Sequence, residues 1–509
     1  MANKHFVFRA DAGAALGGGH VMRCLTLAHA LARRGAVCRF VSLRGSDAYA
    51  PALAASGFST SWVDNALDTA EAANAMGRAD AVIVDHYDLG AQAEAAFRQS
   101  GGKIIAIDDL ADRAHACDVL IDHTLGRTAR DYAGRVPEEA RLLLGPRYAF
   151  VRPEFQQART HALARRRADG PVRRILVSMG LTDVGGVSLP AVEAALAAAP
   201  GAAVDVVLAA QAPSRAALEA RAAIEPRVRV LPANADMCAL MAEADMAIGA
   251  GGTTAWERCC LGLPSVVLVV AENQVLNAGR LAAAGAILLA EGEAGLAAAA
   301  AELAGNAAAR HAMSGKAAAL VAADGADHTA DILLHSLGGL PAARRGAVFF
   351  DRDGVLNVDH GYVSERARFQ WMPGAREAVK LANEAGLYAF VVTNQSGVGR
   401  GKYTEEDVRA LHDFMAEELA EVGARIDAFS YCPDHPEAEI ARYRRVSPRR
   451  KPAPGMLLDL IAEWPVDTAR SLMVGDKASD MAAAAAAGVR GELYEGGPLD
   501  AWLAARLPA

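Results

Sequence analysis

The chain alternates short, almost wholly apolar runs with longer stretches of helical periodicity, and few folds tolerate that pattern. HFVFR, VCRFVSL, DAVIVD, KIIAIDD and DVLID come first; RILVS, AVDVVLA, ADMAIGAGG and PSVVLVV follow. A strand that is apolar on both faces must be covered on both faces, and helices between successive strands supply the cover. Parallel α/β sheets are the expected result. VMRCLTLAHALARRG shows the intervening helical pattern, with Val21, Cys24, Leu25, Ala28 and Leu31 on one face and a stop at Gly35. An alanine-rich chain with only 6% aromatic residues fits helix-rich packing better than a β-sandwich.

Two breaks interrupt the alternation. THALARRRADGP, at about 160–171, and SLGGLPAARRG, at 336–346, are polar or glycine- and proline-bearing and lack periodicity. A chain of 509 residues is then expected to form three α/β units, 1–165, 170–336 and 346–509, with 337–345 as a linker. The net charge of −8 and the absence of a long basic stretch argue against a nucleic-acid partner. Seven scattered cysteines, an odd number, point to reduced thiols. MANKHFVFRADAG holds no signal-peptide apolar segment, and the alanine-rich stretch 281–309 is broken by Glu291, Glu293 and Glu302. A cytoplasmic protein with no membrane partner is expected; the oligomeric state is not set by the sequence.

The third unit opens on AVFFDRDGVLN, residues 347–357. Ligands of parallel sheets sit beyond the carboxyl ends of strands, so Asp351 and Asp353 lie where chemistry is expected, projecting to the same side. Gly354 lets the chain turn sharply after them. Two carboxylates alone read equally well as an Asx turn or a helix cap. Three later stretches decide between these: VVTNQSG puts Thr393 at a strand end, RRKPAPG places Lys451 before a proline, and LMVGDKASD brings Asp476 and Asp480 after another apolar run.

Together DRDGVLNVDHGYV, TNQSGVGRG, RRKPAPGM and VGDKASDM resemble the haloacid dehalogenase superfamily of phosphohydrolases over about 346–490. The narrower likeness is to the D-glycero-D-manno-heptose 1,7-bisphosphate phosphatases, with histidinol-phosphate phosphatases next. That resemblance implies that Asp351 attacks phosphorus and forms an aspartyl-phosphate. Asp353 would protonate the leaving alkoxide and then activate water. Mg²⁺ would be held by Asp351, the backbone carbonyl of Asp353, and Asp476, with Asp480 orienting Lys451 or the metal's water shell. Thr393 and Lys451 would hold phosphoryl oxygens, and Asn394 and Arg450 would contact substrate. One departure stands out. The heptose bisphosphatases usually carry a structural zinc on a Cys-x-His pair and a later Cys-x-Cys. Here YCPDHPEAEIARYRRVSPRRKP keeps Cys432, has Asp434 and His435 around the histidine position, and has Ser447 and Arg449 for the two cysteines. No zinc is expected.

The first unit carries RADAGAALGGGHVMRC, three glycines and His20 opening a helix. The second carries IGAGGTTAWERCCLGLPSVVLVVAENQ, in which Gly249, Gly251 and Gly252 follow a strand, Thr253 and Thr254 open a helix, Glu257 lies one turn in, and Asn273 and Gln274 end the next strand. Glycines admit close approach of a ligand, and helix N-termini receive anions. A nucleoside diphosphate suits such a layout. FRADA, GGGHVMRCLTLAHALARRG, VDHYDLG, DDLADRAHACDVLIDHTLG, LLGPRYAFVRPEF and GGTTAWERCCLGLPSVVLV resemble the UDP-2,4-diacetamido-2,4,6-trideoxy-β-L-altropyranose hydrolases of pseudaminic acid biosynthesis. The fold implied is two Rossmann-like domains in a glycosyltransferase-B arrangement, followed by the haloacid dehalogenase-like Rossmannoid domain.

By that resemblance His20 is the general base that activates water against the anomeric carbon, expelling UDP without a metal. Asp11 would orient His20 or the sugar. Gly18, Gly19, Gly252, Thr253, Glu257, Asn273 and Gln274 would bind nucleotide and sugar. SMGLTDVGG departs from the usual loop at Gly180 and Asp183, and Asp108 and Asp109 of DDLADR read equally as a turn and cap. The expectation is a bifunctional enzyme of bacterial surface-sugar synthesis, acting on a UDP-sugar and on a phosphorylated sugar. A glycosyltransferase and a non-catalytic sugar-nucleotide-binding module remain alternatives for the front half. The sugars themselves, and whether the two sites serve consecutive steps, are not fixed by the residues.

Overall fold

Strands alternate with helices along most of the described chain, and every described strand pairs with its sheet neighbours in parallel. The computed structural model describes residues 3–14, 16–166, 170–180, 182–321, 323–338 and 344–507. Of the expected linker 337–345, residues 339–343 lie outside the described residues, as do 167–169 between the first two expected units. The chain divides into two units, Met1–Ala330 and Asp331–Ala509. No described helix is long and apolar enough to cross a membrane.

The first unit holds two sheets. One comprises β1 (His5–Ala10), β2 (Val37–Leu43), β3 (Ser59–Val63), β4 (Ala81–Asp85), β5 (Lys103–Ile107), β6 (Val119–Asp122) and β7 (Arg141–Leu144), in the order β3-β2-β1-β4-β5-β6-β7. The other comprises β8 (Arg174–Ser178), β9 (Ala203–Val207), β10 (Val228–Leu231), β11 (Met246–Ala250), β12 (Ser265–Leu268) and β13 (Leu288–Leu289), in the order β10-β9-β8-β11-β12-β13. In each, the strand order reverses at the middle, between β1 and β4 and between β8 and β11. Helices leave such a point to opposite faces and open a crevice at the strand ends. This is the glycosyltransferase-B arrangement of two Rossmann-like halves.

The helix Pro153–Arg165 precedes the break in composition but packs beyond it. Its Phe155 and Ala162 are fully buried in one core with Leu176, Trp256, Cys259 and Leu281 of the second half. The helix Gly325–Ser336 runs the other way. Its Asp327 pairs with Arg33 at 2.9 Å and Arg34 at 2.6 Å, and His328 stacks on Tyr148 at 5.6 Å. Apolar faces and ion pairs, not linker composition, decide which half each helix joins.

The second unit is a single five-stranded sheet of β14 (Ala347–Phe350), β15 (Tyr388–Asn394), β16 (Ala428–Cys432), β17 (Leu472–Gly475) and β18 (Arg490–Leu493), in the order β16-β15-β14-β17-β18. Its reversal lies between β14 and β17. Val348, Phe350, Val391, Leu472 and Val474 line one face of the sheet in a shared core.

A buried polar network fastens the loops after β5 and β6. His115 Nδ1 lies 2.7 Å from Glu94 Oε1, and its Nε2 3.6 Å from Asp108 Oδ2. The Tyr132 hydroxyl lies between Asp108 and Asp122, 3.0 and 2.8 Å from their oxygens, with one hydrogen to give, and Arg127 pairs with Asp122. Burial alone would push His115 down, but Asp108 and Glu94 outweigh it and raise it from 6.5 to about 9. The stability this pairing gives is therefore full below pH 6.5 and is lost as pH rises through about 9. His115→Gln is expected to be less stable than the wild type at pH 6, by up to about 3 kcal/mol. Urea unfolding at pH 6 and 9.5 should show that gap shrinking at the higher pH; a constant gap would contradict the ion-pair assignment.

Candidate active sites

In the second unit, the strand β14 delivers Asp351 at its carboxyl end, where the backbone N–H donates to Val474 O of β17 at 2.9 Å. Lys451 reaches the same point from the loop after β16. Its Nζ lies 2.9 Å from Asp351 Oδ1 and 2.7 Å from Asp480 Oδ1, and donates to Val392 O at 2.8 Å. Asn394 holds that loop in register: its amide donates to Lys451 O at 3.0 Å and accepts from Lys451 N–H at 3.1 Å. Both ends of the Asn394 amide are therefore spent on the lysine's backbone. Asn394, which sequence reasoning expects to touch substrate, also supports Lys451.

Asp353 lies beside a fully buried Arg352, which donates to both its oxygens at 3.0 and 2.9 Å. Asn357 and Gln395 donate to the same carboxylate at 3.0 and 2.8 Å. Thr393 is buried at the end of β15. Arg450 is half-buried and donates to Asp434 O at 3.2 Å. Asp480 also accepts from Lys477 N–H at the start of its helix, at 3.1 Å.

Asp351, Asp476 and Asp480 each offer an oxygen, and these lie within 4.8 Å of one another. Gly354, at φ +90°, makes this possible: a β-carbon there would collide with the Asp476 carboxylate. Asp476 Oδ1 is buried with no hydrogen-bond partner among the described residues. Hard oxygen donors with one oxygen unspent fit a divalent cation such as Mg²⁺. Burial pushes the Asp351 carboxyl up to about 6, with Lys451 opposing and Asp480 reinforcing the rise. Burial also raises Asp476.

The loop 432–449, where no zinc is expected, makes several contacts with protein partners. Asp434 pairs with Arg445 at 2.9 Å, His435 faces Arg400 at 3.3 Å, and Arg449 donates to Ser430 at 3.0 Å. Cys432 is buried, and that burial raises its thiol.

In the first unit, the helix Gly19–Ala32 begins at the β1/β4 reversal and presents His20. His20 Nδ1 lies 2.6 Å from Asp85 Oδ1, a contact in which Nδ1 donates to the carboxylate and Nε2 faces away from it. Arg23 grips the same Asp85 through two nitrogens, both at 2.6 Å, and reaches Asp109 at 2.9 Å. Burial opposes the charge on Asp85, but Arg23 and His20 outweigh it and hold the carboxyl well below the ordinary range. The expectation that Asp11 orients His20 is thereby corrected. Asp11 is fully buried against Arg9 at 2.5 Å and accepts from Leu43 N–H at 2.6 Å, tying β1 to β2, while Asp85 holds the histidine.

Residues from the second half close on this point. A β-carbon at Gly19 would sit 3.7 Å from Thr253 Oγ1, and one at Gly18 would press on Tyr49 O at 3.1 Å. Asn273 donates to Tyr87 OH at 2.6 Å, and the Tyr87 ring meets His20 edge-on at 4.5 Å. Gln274 accepts from Gly251 and Val270 N–H at 3.0 and 3.2 Å, and Gly252 lies against the same side chain. Glu257 pairs with Arg152 at 2.7 Å. Asp183 accepts from Ser188 and Ser214 and shapes its own loop, and Asp108 caps the turn at Ala111. Asp85, Arg23 and Tyr87 are the residues that sequence reasoning misses. Asp85 carries the signal that identifies Asp351, an aspartate at the end of an apolar strand, and Arg23 falls one helical turn after His20.

Residues 448–506 match the HAD-hydrolase-like family model, and 201–329 match the glycosyltransferase family 28 C-terminal domain. A D-glycero-β-D-manno-heptose-1,7-bisphosphate 7-phosphatase of Rhodopseudomonas palustris is 51% identical over 162 residues, 32% of this chain and 90% of the relative. The second unit belongs to this phosphatase family. The phosphatase unit is also similar to the D,D-heptose 1,7-bisphosphate phosphatase of B. bronchiseptica, solved with magnesium and phosphate, at 34% identity over 32% of this chain and 88% of that one, TM-score 0.28. The first unit is similar to Acinetobacter baumannii MurG at 18% identity over 65% of this chain and 99% of that one, TM-score 0.46.

Because the Asp351 pKa is raised from 3.8 to about 6, its ionisation destabilises the cation-free phosphatase above that range and costs nothing below it. Asp351→Asn is therefore expected to unfold at a higher temperature than the wild type in chelator at pH 7.5. Calorimetry should show the difference shrinking toward pH 4.5 and narrowing when Mg²⁺ is added at pH 7.5. A variant that melts earlier than the wild type in chelator would refute it.

Proposed function

We propose that the chain is a bifunctional enzyme, joining a Mg²⁺-dependent sugar-phosphate phosphatase to a UDP-sugar hydrolase. The observation that carries the first activity is Lys451 held between Asp351 and Asp480 at the β14/β17 reversal. The substrate is a phosphorylated sugar of the heptose bisphosphate kind, the class on which the R. palustris relative is named to act. Asp351 attacks phosphorus while Lys451 and the Thr393 hydroxyl hold the phosphoryl oxygens. Asp353 gives a proton to the departing alkoxide and takes one from water when the aspartyl-phosphate is hydrolysed. Asp351, the Asp353 carbonyl and Asp476 would hold Mg²⁺, which lowers the repulsion between carboxylate and phosphate. Arg450 contacts the sugar phosphate beyond the reacting group. The Asp434–Arg445 pair supports the loop without zinc.

Asp351→Asn is expected to cut phosphate release from phosphorylated heptoses at least about 1,000-fold while the protein stays folded. Unchanged release would end this reading. Adding zinc, or a zinc-selective chelator, should leave the wild-type rate in excess Mg²⁺ as it was.

For the first unit, the supporting observation is His20 Nδ1 turned onto Asp85, which leaves Nε2 free to accept a proton from water. Gly18, Gly19, Gly252 and Thr253 bring two helix starts to one place, where a diphosphate is held without metal. Asn273, Gln274 and Glu257 line the nucleotide and sugar side, with Asp11 beneath the sugar. His20→Gln and Asp85→Asn are expected to lower UDP release from a UDP-sugar by about 100-fold or more, with UDP affinity changed less than about threefold. Isothermal titration beside a UDP-release assay separates the two quantities; release that persists in His20→Gln rules out the base. The family 28 match over 201–329 favours a second reading, transfer of the sugar to an acceptor. Turnover that requires an added acceptor would select it.

A further inference from the structure

The phosphatase unit buries two amides against Asp353, Asn357 and Gln395, and the second also reaches the Thr393 hydroxyl. Gln395 is 1% exposed and lies two residues after Thr393. Its Nε2 donates to Asp353 Oδ2 at 2.8 Å and to Thr393 Oγ1 at 2.9 Å. Its Oε1 accepts from Tyr403 OH at 2.7 Å. With Nε2 donating to both Asp353 and Thr393, Oε1 is the end left to accept from the tyrosine. The Tyr403 ring reaches this position by lying on Gly397, where any β-carbon would collide with it.

We infer that Gln395, oriented by Tyr403, is a positioning residue that aims the Asp353 carboxyl and the Thr393 hydroxyl at the reacting phosphoryl group. The inference rests on the phosphatase reading above and deepens it. By donating to Thr393 Oγ1, the amide leaves the hydroxyl hydrogen to point at a phosphoryl oxygen. By donating to Asp353 Oδ2, it fixes the side from which that group meets the leaving oxygen. In that step the Asp351–phosphorus bond forms as the phosphorus–oxygen bond to the leaving group breaks. The Asp353 proton passes to the freed oxygen. An alkoxide needs that proton; a nitrophenolate leaves nearly as well without it.

The experiment compares kcat/KM for an alkyl phosphate and for p-nitrophenyl phosphate, in the full chain with Mg²⁺. kcat/KM reports the step in which the leaving group departs. Gln395→Met, close to glutamine in shape, is expected to lose about 100-fold on the alkyl ester and no more than about fivefold on the nitrophenyl ester. Tyr403→Phe keeps the ring and is expected to show the same selectivity at about tenfold on the alkyl ester, which tests the inference even where the methionine variant fails to fold. A shared loss of up to about fivefold is the Thr393 part of the effect; losses that stay equal on the two esters, leaving no selectivity for the alkyl ester, or no loss on either, overturn it. A wild type inert toward both esters, or an Asp351→Asn variant as active as the wild type, removes the phosphatase reading and the inference with it. Unequal results for the Gln395 variants alone leave no such ambiguity.

Discussion

A parallel sheet covered by helices on both faces has only its strand ends free for chemistry. In an open sheet the helices part at one place, where the strand order reverses, and the chain meets that constraint three times. The reversals fall between β1 and β4, β8 and β11, and β14 and β17. His20 with Asp85, Gly249 with Gly251 and Gly252, and Asp351 with Asp476 sit at those three points. Backbone pairing thus fixes where a polar side chain can meet a ligand without breaking into a core.

What each reversal does depends on the charge gathered there. Asp85 and Asp351 lie on opposite sides of their reversals, Asp85 at the end of β4 and Asp351 just beyond β14, each at the carboxyl end of a buried central strand. Asp85 receives both edges of Arg23 and the His20 ring, and its carboxyl is driven down. Asp351 shares Lys451 with Asp480 and has Asp476 close by, and its carboxyl rises to about 6. One cluster is balanced by protein cations. The other has more carboxylates than cations, which is the condition for drawing in a divalent ion.

Legibility in the sequence follows burial. The strands read directly from apolar runs are the interior ones: β2, β1, β4, β5 and β6; β9, β8, β11 and β12; β15, β14 and β17. The edges β3, β7, β10, β13, β16 and β18 escape, because a strand with one open side mixes polar residues into its run, as STSWV and RGEL do. The helix Pro153–Arg165 is likewise assigned to the wrong side by a compositional break, since its loyalty is decided by where Phe155 is buried. Partners distant in sequence are invisible for a simpler reason. His20 and Asp85 are 65 residues apart, and nothing local to either announces the other.

Amides mislead in a different way. A carboxylate at a strand end can only accept, so its unspent oxygens advertise a cation or a donor. An amide has a donor and an acceptor and can satisfy both within the protein. Asn394 spends both ends on the Lys451 backbone, and Gln274 spends its oxygen on two N–H groups of the glycine loop. Read from a motif, both look like ligand contacts; in the fold the same side chains also hold backbone beside the site. Gln395 instead joins two side chains to each other, the Asp353 carboxyl and the Thr393 hydroxyl. The chemistry at these strand ends therefore depends on two layers, charges that a sequence reveals by position and amides whose role appears only when their partners are known.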